Sequence, residues 1–300
     1  MSNDTDGAKI VITTPGIYDI PAAIYHADPC ETPSLSAGMV NDMLTAPKKC
    51  FYGSRRLNPD YEEPETEDRF TLGSVRHVMF LEPHLFEQKV AVVDFDDWRS
   101  KDAKTLKAMA ISSGQTPILK KHFDKVQLAR QAFLSNKFTQ EAFQGGLFEQ
   151  SLFWRDPVTG IWCRARPDCI HSTGRHIIDY KTTTDANPWT FGRHAYNLGY
   201  HRRAAWYLDG AAEAMGVTPQ HYWFVNQEVK PPFLVSVVEL DMLALEAGRS
   251  ENRKAASLFN MCLQSGDWFG YRHPDKLDRD LAFRVGLPNY AMAQIEERTE

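Results

Sequence analysis

The apolar residues of this 300-residue chain follow a helical period towards both ends and an alternating one in the middle. Residues 1–30 show neither pattern. Pro15-Gly16 and Pro21 interrupt them, and an N-terminal arm is expected over 1–33, irregular through residue 30, ahead of a single domain over 34–300. Ser34-Leu35-Ser36 opens a helix that carries Leu35, Met39, Met43 and Leu44, and Pro47 stops it. Residues 58–68, NPDYEEPETED, are acidic and proline-bearing and predict an exposed loop. A second helix is expected from about Asp68 to Glu82, before Pro83, with Gly73 and His77 on one face four residues apart. Leu85–Val93 reads as a connector and a strand. Residues 103–110 and 117–135 read as helices of an insert over about 99–145, the second with Ile118, Phe123, Val126, Ala129 and Phe133 near a 3.6 period.

The period then changes. Leu147–Arg155, Ile161–Asp168 and His176–Lys181 read as three strands, joined by turns at Asp156-Pro157-Val158-Thr159-Gly160 and Ser172-Thr173-Gly174. Asn187-Pro188 starts a helical pattern that breaks near Gly199 and ends at Met215-Gly216. Tyr222–Val229 and Phe233–Leu240 are two further strands, split by Lys230-Pro231-Pro232. A long helix covers about 241–264, and the aromatic tail Trp268, Phe269 and Tyr271 is expected to dock on the body. No repeat or low-complexity tract is visible. The order implies a mixed sheet flanked by helices, an α/β or α+β core.

Composition narrows the class. A hydrophobic share of 43% and a charged share of 24% suit a globular domain. No apolar run approaches the roughly 18 residues of a membrane span, and the polar, acidic N-terminus does not resemble a signal peptide. The five cysteines (Cys30, Cys50, Cys163, Cys169 and Cys262) form no CxxC pair. They read as reduced cytosolic thiols, with Cys163 and Cys169 as small packing residues. The net charge of −5 is unevenly spread. Between residues 99 and 137, nine basic side chains, including Lys101, Lys104, Lys120 and Lys121, face only Asp102 and Asp124. Such a segment suits a phosphate backbone or a solvated helix face.

The candidate chemistry lies in Arg166-Pro167-Asp168 and Ile177-Ile178-Asp179-Tyr180-Lys181, which read as neighbouring strands of a hairpin. Alternation puts Asp179 and Lys181 on one face and Tyr180 on the other. Two carboxylates beside an ammonium suit a hard divalent cation: magnesium prefers oxygen ligands, and Lys181 would orient or help deprotonate the attacking water, or offset charge on the phosphate. His77 is a further ligand if its helix packs at the strand ends, and its imidazole would let manganese substitute. Glu149 is a second-metal ligand or a partner for water, or else a sheet-edge charge. Tyr200, Arg203 and Tyr207 form one helical stripe, in which the arginine calls for an anionic partner.

In order, Gly73-x-x-x-His77, Glu149, Pro167-Asp168, Asp179-Tyr180-Lys181-Thr182 and Arg203-x-x-x-Tyr207 resemble the PD-(D/E)xK nucleases. Within them the chain looks like the RecB-like branch, and most like the exonuclease VIII (RecE) nuclease domain of phages and prophages. The likeness runs from about Ser34 to the final helix. It implies a restriction-endonuclease-like core with His77, Asp168, Asp179 and the Tyr180 carbonyl as metal ligands. It implies Lys181 as the catalytic lysine, Glu149 close to the metals, and DNA contacts from Arg203, Tyr207, Arg166 and Thr182. Arg203 stands where relatives carry glutamine. The resemblance further implies a Mg2+-dependent 5′-to-3′ exonuclease on double-stranded DNA ends that leaves 3′ overhangs. Such an enzyme would form a ring-shaped homo-oligomer, pass its product to a single-strand annealing protein, and work in the cytoplasm of a bacterial host, without a membrane partner. A non-cleaving DNA-binding protein on the same fold, and an endonuclease, are the alternatives.

Overall fold

In the computed structural model, which describes residues 10–62, 72–272 and 282–299, the chain opens with strand β1 (Gly16–Tyr18) and helix α1 (Ala22–His26). β2 (Ser34–Ser36) leads into α2 (Ala37–Thr45) and α3 (Pro47–Tyr52). α4 (Leu72–Leu81) and the short α5 (Phe86–Lys89) precede β3 (Val90–Val93), α6 (Lys101–Ser112) and β4 (Thr116–Leu119). α7 (Lys120–Ser135) and α8 (Lys137–Ala142) follow. The central strands are β5 (Gly146–Phe148), β6 (Ser151–Arg155), β7 (Trp162–Ala165), β8 (Cys169–His171) and β9 (His176–Thr183). α9 (Phe191–Asn197) and α10 (Tyr200–Met215) lead to β10 (His221–Glu228), β11 (Val235–Val238), α11 (Met242–Ser265) and α12 (Asn289–Thr299).

The strands form a four-stranded sheet ordered β1-β6-β7-β2, a five-stranded sheet ordered β11-β10-β9-β8-β5, and the pair β3-β4. β9 and β10 run parallel in the larger sheet, and its other neighbours are antiparallel. The mixed α/β core expected from the order of elements is therefore present.

The larger sheet is covered on both faces, as parallel neighbours require. Ile177, Tyr222 and Phe224 pack towards α2, α10 and α11, and Ile178, Tyr180 and Val225 pack towards Leu81 of α4 and Phe133 of α7. α10 and α11 meet closely: a Cβ at Gly248 would overlap the His201 carbonyl. Asp241 caps α11, its carboxylate accepting from the Ala244 N–H at 2.8 Å. The aromatic tail docks as expected, with Trp268 set between Phe51 and Phe259, each 5.6 Å away.

Several expectations change. Ser34–Ser36 is a strand parallel to β7, and the helix begins only at Ala37. Both periods place Leu35 inside, so a three-residue strand leaves no distinguishing pattern. Thr116–Leu119, read as the start of a helix, pairs with β3 instead. The described part of the expected arm is built into the fold: β1 pairs with β6, and Ile12, Ile20, Tyr25 and Cys30 pack on Phe153 and Trp162. Of the expected acidic loop and following helix start, residues 63–71 lie outside the described residues. Leu147–Arg155 is not one strand. Glu149 takes φ +52°, and the chain passes there from the larger sheet to the smaller. Ile161–Asp168 likewise ends at Ala165, and residues 166–168 cross back to β8. The hairpin is therefore β8–β9, with Cys169 opposite Ile178, and Cys163 and Cys169 sit in different sheets. All five cysteines are free and buried. Among the described residues no helix is long and apolar enough to cross a membrane.

Candidate active site

The two chain crossings between the sheets create the site. Glu149 lies on one and Asp168 on the other, and the Glu149 N–H donates to the Asp168 carbonyl at 3.2 Å. This bond locks the crossings side by side. A non-glycine residue at positive φ is strained. The strain at Glu149 turns its carboxylate off the sheet edge to within 3.5 Å of His77 Nε2. Asp168 Oδ1 lies 3.2 Å from the same nitrogen, and its Oδ2 accepts from the Tyr180 N–H at 2.6 Å. Ligand atoms of His77, Glu149 and Asp168 all lie within 4.8 Å of one another. One imidazole nitrogen and carboxylate oxygens converging at this spacing form a donor set that fits a divalent cation of the magnesium or manganese kind.

β9 supplies the second half. Asp179 and Lys181 project to the α10 side, and Tyr180 projects to the other face, where its hydroxyl donates to Gln227 Oε1 at 2.7 Å. Lys181 Nζ lies 2.5 Å from Asp179 Oδ2, and Arg203 Nη1 of α10 lies 4.0 Å from Asp179 Oδ1. The Asp179 side chain is only 2% exposed. An isolated carboxylate at such depth would be neutralised, so the flanking cations are what make an ionised form tolerable. Asp179 thus sits in a separate cationic group beside the His77–Glu149–Asp168 cluster.

The charges tune one another. Burial opposes ionisation of Asp168, but its hydrogen bond to His77, the Lys181 ammonium and the Tyr180 N–H outweigh this and hold the carboxyl below its usual range. For Asp179 burial wins over Lys181, and the neighbouring Asp168 charge adds to the upward push. Burial also raises Glu149. Burial disfavours the Lys181 ammonium, yet Asp179 and Asp168 overcompensate and raise its pKa. The same contest raises His77, where burial yields to Asp168 and Glu149. The ammonium of Lys181, 2.5 Å from Asp179, is placed to donate a hydrogen bond into the site.

One essential support carries no sequence motif. Arg76, adjacent to His77 on α4, is 1% exposed. Its guanidinium donates to the carbonyls of Glu228 at 2.9 Å and Val229 at 3.1 Å, and lies over the Phe233 ring at 5.3 Å. This fork ties α4 to the end of β10, whose Asn226 is in register with Lys181. The clamp holds the residue that adjoins His77. The partners lie 152 and 153 residues away in sequence, so no local pattern announces them.

The residues expected at DNA divide. Arg203 stays near the site with a partly open side chain, and Thr182 is half-buried on β9 opposite Gln227. Arg166 is committed to protein: it donates to Glu149 Oε2 at 2.9 Å, the Ile20 carbonyl at 2.9 Å and Ser151 Oγ at 2.7 Å. It braces a site carboxylate. Tyr207 is buried, its hydroxyl donating to the Arg166 carbonyl at 3.4 Å. Lys101 and Lys104 are exposed on α6, and Lys120 and Lys121 are exposed at the start of α7. Lys120 pairs with Asp124 at 3.0 Å. α7 packs against α4, which places this basic layer behind the helix of His77.

No curated protein matches the sequence. Among solved structures, a protein from Eubacterium rectale provisionally assigned as an exonuclease shares 11% identity at a TM-score of 0.57, over 90% of this chain and 97% of that one. LHK-Exo in complex with dAMP shares 13% identity at a TM-score of 0.23, over 66% and 96%. SSO0001 shares 16% at a TM-score of 0.28, over 65% and 88%. The first likeness shows a common fold across nearly the whole molecule. A family model described as a PDDEXK-like domain of unknown function (DUF3799) matches residues 43–271. With its mixed sheets, flanking helices and carboxylate–lysine site, the chain belongs to that PDDEXK-like family.

Proposed function

We propose that this chain is a divalent-metal-dependent deoxyribonuclease, acting as a RecE-like 5′-to-3′ exonuclease on double-stranded DNA ends and leaving 3′ overhangs for strand annealing. The observation that carries the reading is the convergence of His77, Glu149 and Asp168 ligand atoms within 4.8 Å, beside a buried Asp179–Lys181 pair. His77, Glu149 and Asp168 would hold the cation, with Asp179 and the Tyr180 carbonyl completing its surroundings. When bound, a divalent metal activates water and neutralises charge developing on the phosphate. The side chains do the rest. Lys181, kept protonated by its carboxylate neighbours, donates to the attacking water or a phosphate oxygen. Arg166 fixes the Glu149 carboxylate, and Asp168 is oriented by the Tyr180 N–H. Arg203, about a third exposed, faces incoming phosphate and does the work of the glutamine found in relatives.

Digestion of end-labelled linear duplex DNA with Mg2+ tests this. The 5′-labelled nucleotide should be released first, and closed circular DNA should survive. Asp179→Asn and Lys181→Ala should each reduce cleavage by about 100-fold or more, with duplex binding preserved. Degradation of linear duplex at the normal rate by Asp179→Asn would overturn the assignment.

A further inference from the structure

We propose that Trp189 is the stacking platform for the nucleobase at the strand end brought to this site, an inference that rests on the nuclease reading above. Trp189 is 91% exposed, whereas the other six tryptophans are buried or half-buried. An indole left in water forgoes a large apolar burial, and base stacking on an aromatic face recovers it. Its mount is stiff. The Trp189 N–H donates to Asn187 Oδ1 at 3.0 Å, the Asn187 N–H donates to Asp185 Oδ1 at 2.9 Å, and the Thr183 hydroxyl donates to the Asp185 carbonyl at 2.9 Å. Little conformational freedom would be lost on stacking.

The mount adjoins the site. Thr183 ends the strand that bears Asp179 and Lys181. Phe191, two residues after the tryptophan, anchors in the core 6.0 Å from the Tyr200 ring. Tyr200 in turn lies 5.8 Å from Lys181 Nζ and 6.0 Å from the Arg203 guanidinium. Two arginines are placed for a phosphate. Between the flanking Asp185 and Asp209, Arg193 is exposed and Arg203 borders Asp179, whereas Arg202 is paired with Glu251 at 2.7 Å. Cations interleaved with exposed rings track a single strand. The neighbouring groove between α9 and α11, which Pro188 and Tyr196 also line, holds Glu239, Asp241 and Glu251, so the strand is expected on the Arg203 side instead.

Binding by fluorescence anisotropy decides the matter, in a Lys181→Ala background so that the DNA persists. The probes are a duplex with a short single-stranded overhang and the same duplex closed by hairpin caps. Trp189→Ala should bind the overhang duplex about tenfold more weakly, Trp189→Phe should recover most of that loss, and the capped duplex should bind all three alike. Unchanged affinity of Trp189→Ala for the overhang duplex overturns the proposal, as does an equal loss on the capped duplex. Failure of the parent chain to bind either DNA is a different result and brings down the nuclease reading as well.

Discussion

Replacing Arg76 by methionine tests how His77, the proposed metal ligand, is held. The guanidinium makes two hydrogen bonds to backbone carbonyls, at 2.9 and 3.1 Å. Bonds from a charged donor contribute about 1.5–3 kcal/mol each, or roughly 3–6 kcal/mol for the pair. Removing a buried cation returns part of that, because its desolvation penalty disappears. The two carbonyls are only partly buried, so leaving them without these partners costs towards the low end of about 1–3 kcal/mol each. The expected net loss is about 2–3 kcal/mol. A second effect is local. With α4 released from β10, His77 drifts from Asp168, and the metal concentration for half-maximal cleavage should rise about 10–100-fold. Arg76→Lys should fall between, since one ammonium cannot span both carbonyls as a planar fork does. Urea unfolding followed by circular dichroism reads the first effect, and a Mg2+ titration of cleavage reads the second. Wild-type values in both assays for Arg76→Met would refute the clamp.

Three further outcomes are expected. Chelation should abolish cleavage, and Mn2+ should restore it as well as Mg2+ does, whereas His77→Ala should lose the response to Mn2+ more than to Mg2+; equal losses for both metals would place the histidine outside the coordination sphere. His176 is 1% exposed with Nε2 2.8 Å from the Ala142 carbonyl, and burial lowers its pKa below the usual imidazole value of about 6.5. The unfolded chain therefore binds the proton more readily, so stability from this group is complete above about pH 6.5 and falls as pH drops through the lowered value. Thermal melts at pH 7.5 and 5.5 should show a smaller acid-induced loss in His176→Phe than in wild type; identical losses would sink that account. Finally, Lys120→Ala/Lys121→Ala should flatten the slope of log affinity against log salt by about 1.8 if both lysines contact phosphates, and an unchanged slope would mean that this helix face is merely solvated.

Much of the site was legible because its chemistry is local. Asp179, Tyr180 and Lys181 occupy one strand, and alternation alone places the carboxylate and the ammonium together. The long α10 and α11 were legible because their periodicity runs for several turns and ends at Gly216 and Gly266, both at positive φ. What escaped was set by partners distant in sequence. β1 and β2 are three residues each, too short for periodicity, and exist because β6 and β7 offer edges to them. The splitting of Leu147–Arg155 was hidden because glutamate carries no signature of positive φ. Arg166 read as a DNA contact, since its bonds to Glu149 and Ile20 form only when the two crossings lie side by side. Tyr207 shared a helical stripe with Arg203, but one turn further along that stripe enters the core.

The Arg76 fork also bears on when activity can arise. It joins α4 to residues 228 and 229, and the strand holding those residues must itself pair with β9. During synthesis three quarters of the polypeptide has to emerge before His77 can be fastened opposite Asp168. A truncated or half-made product therefore has the candidate site residues but not their alignment.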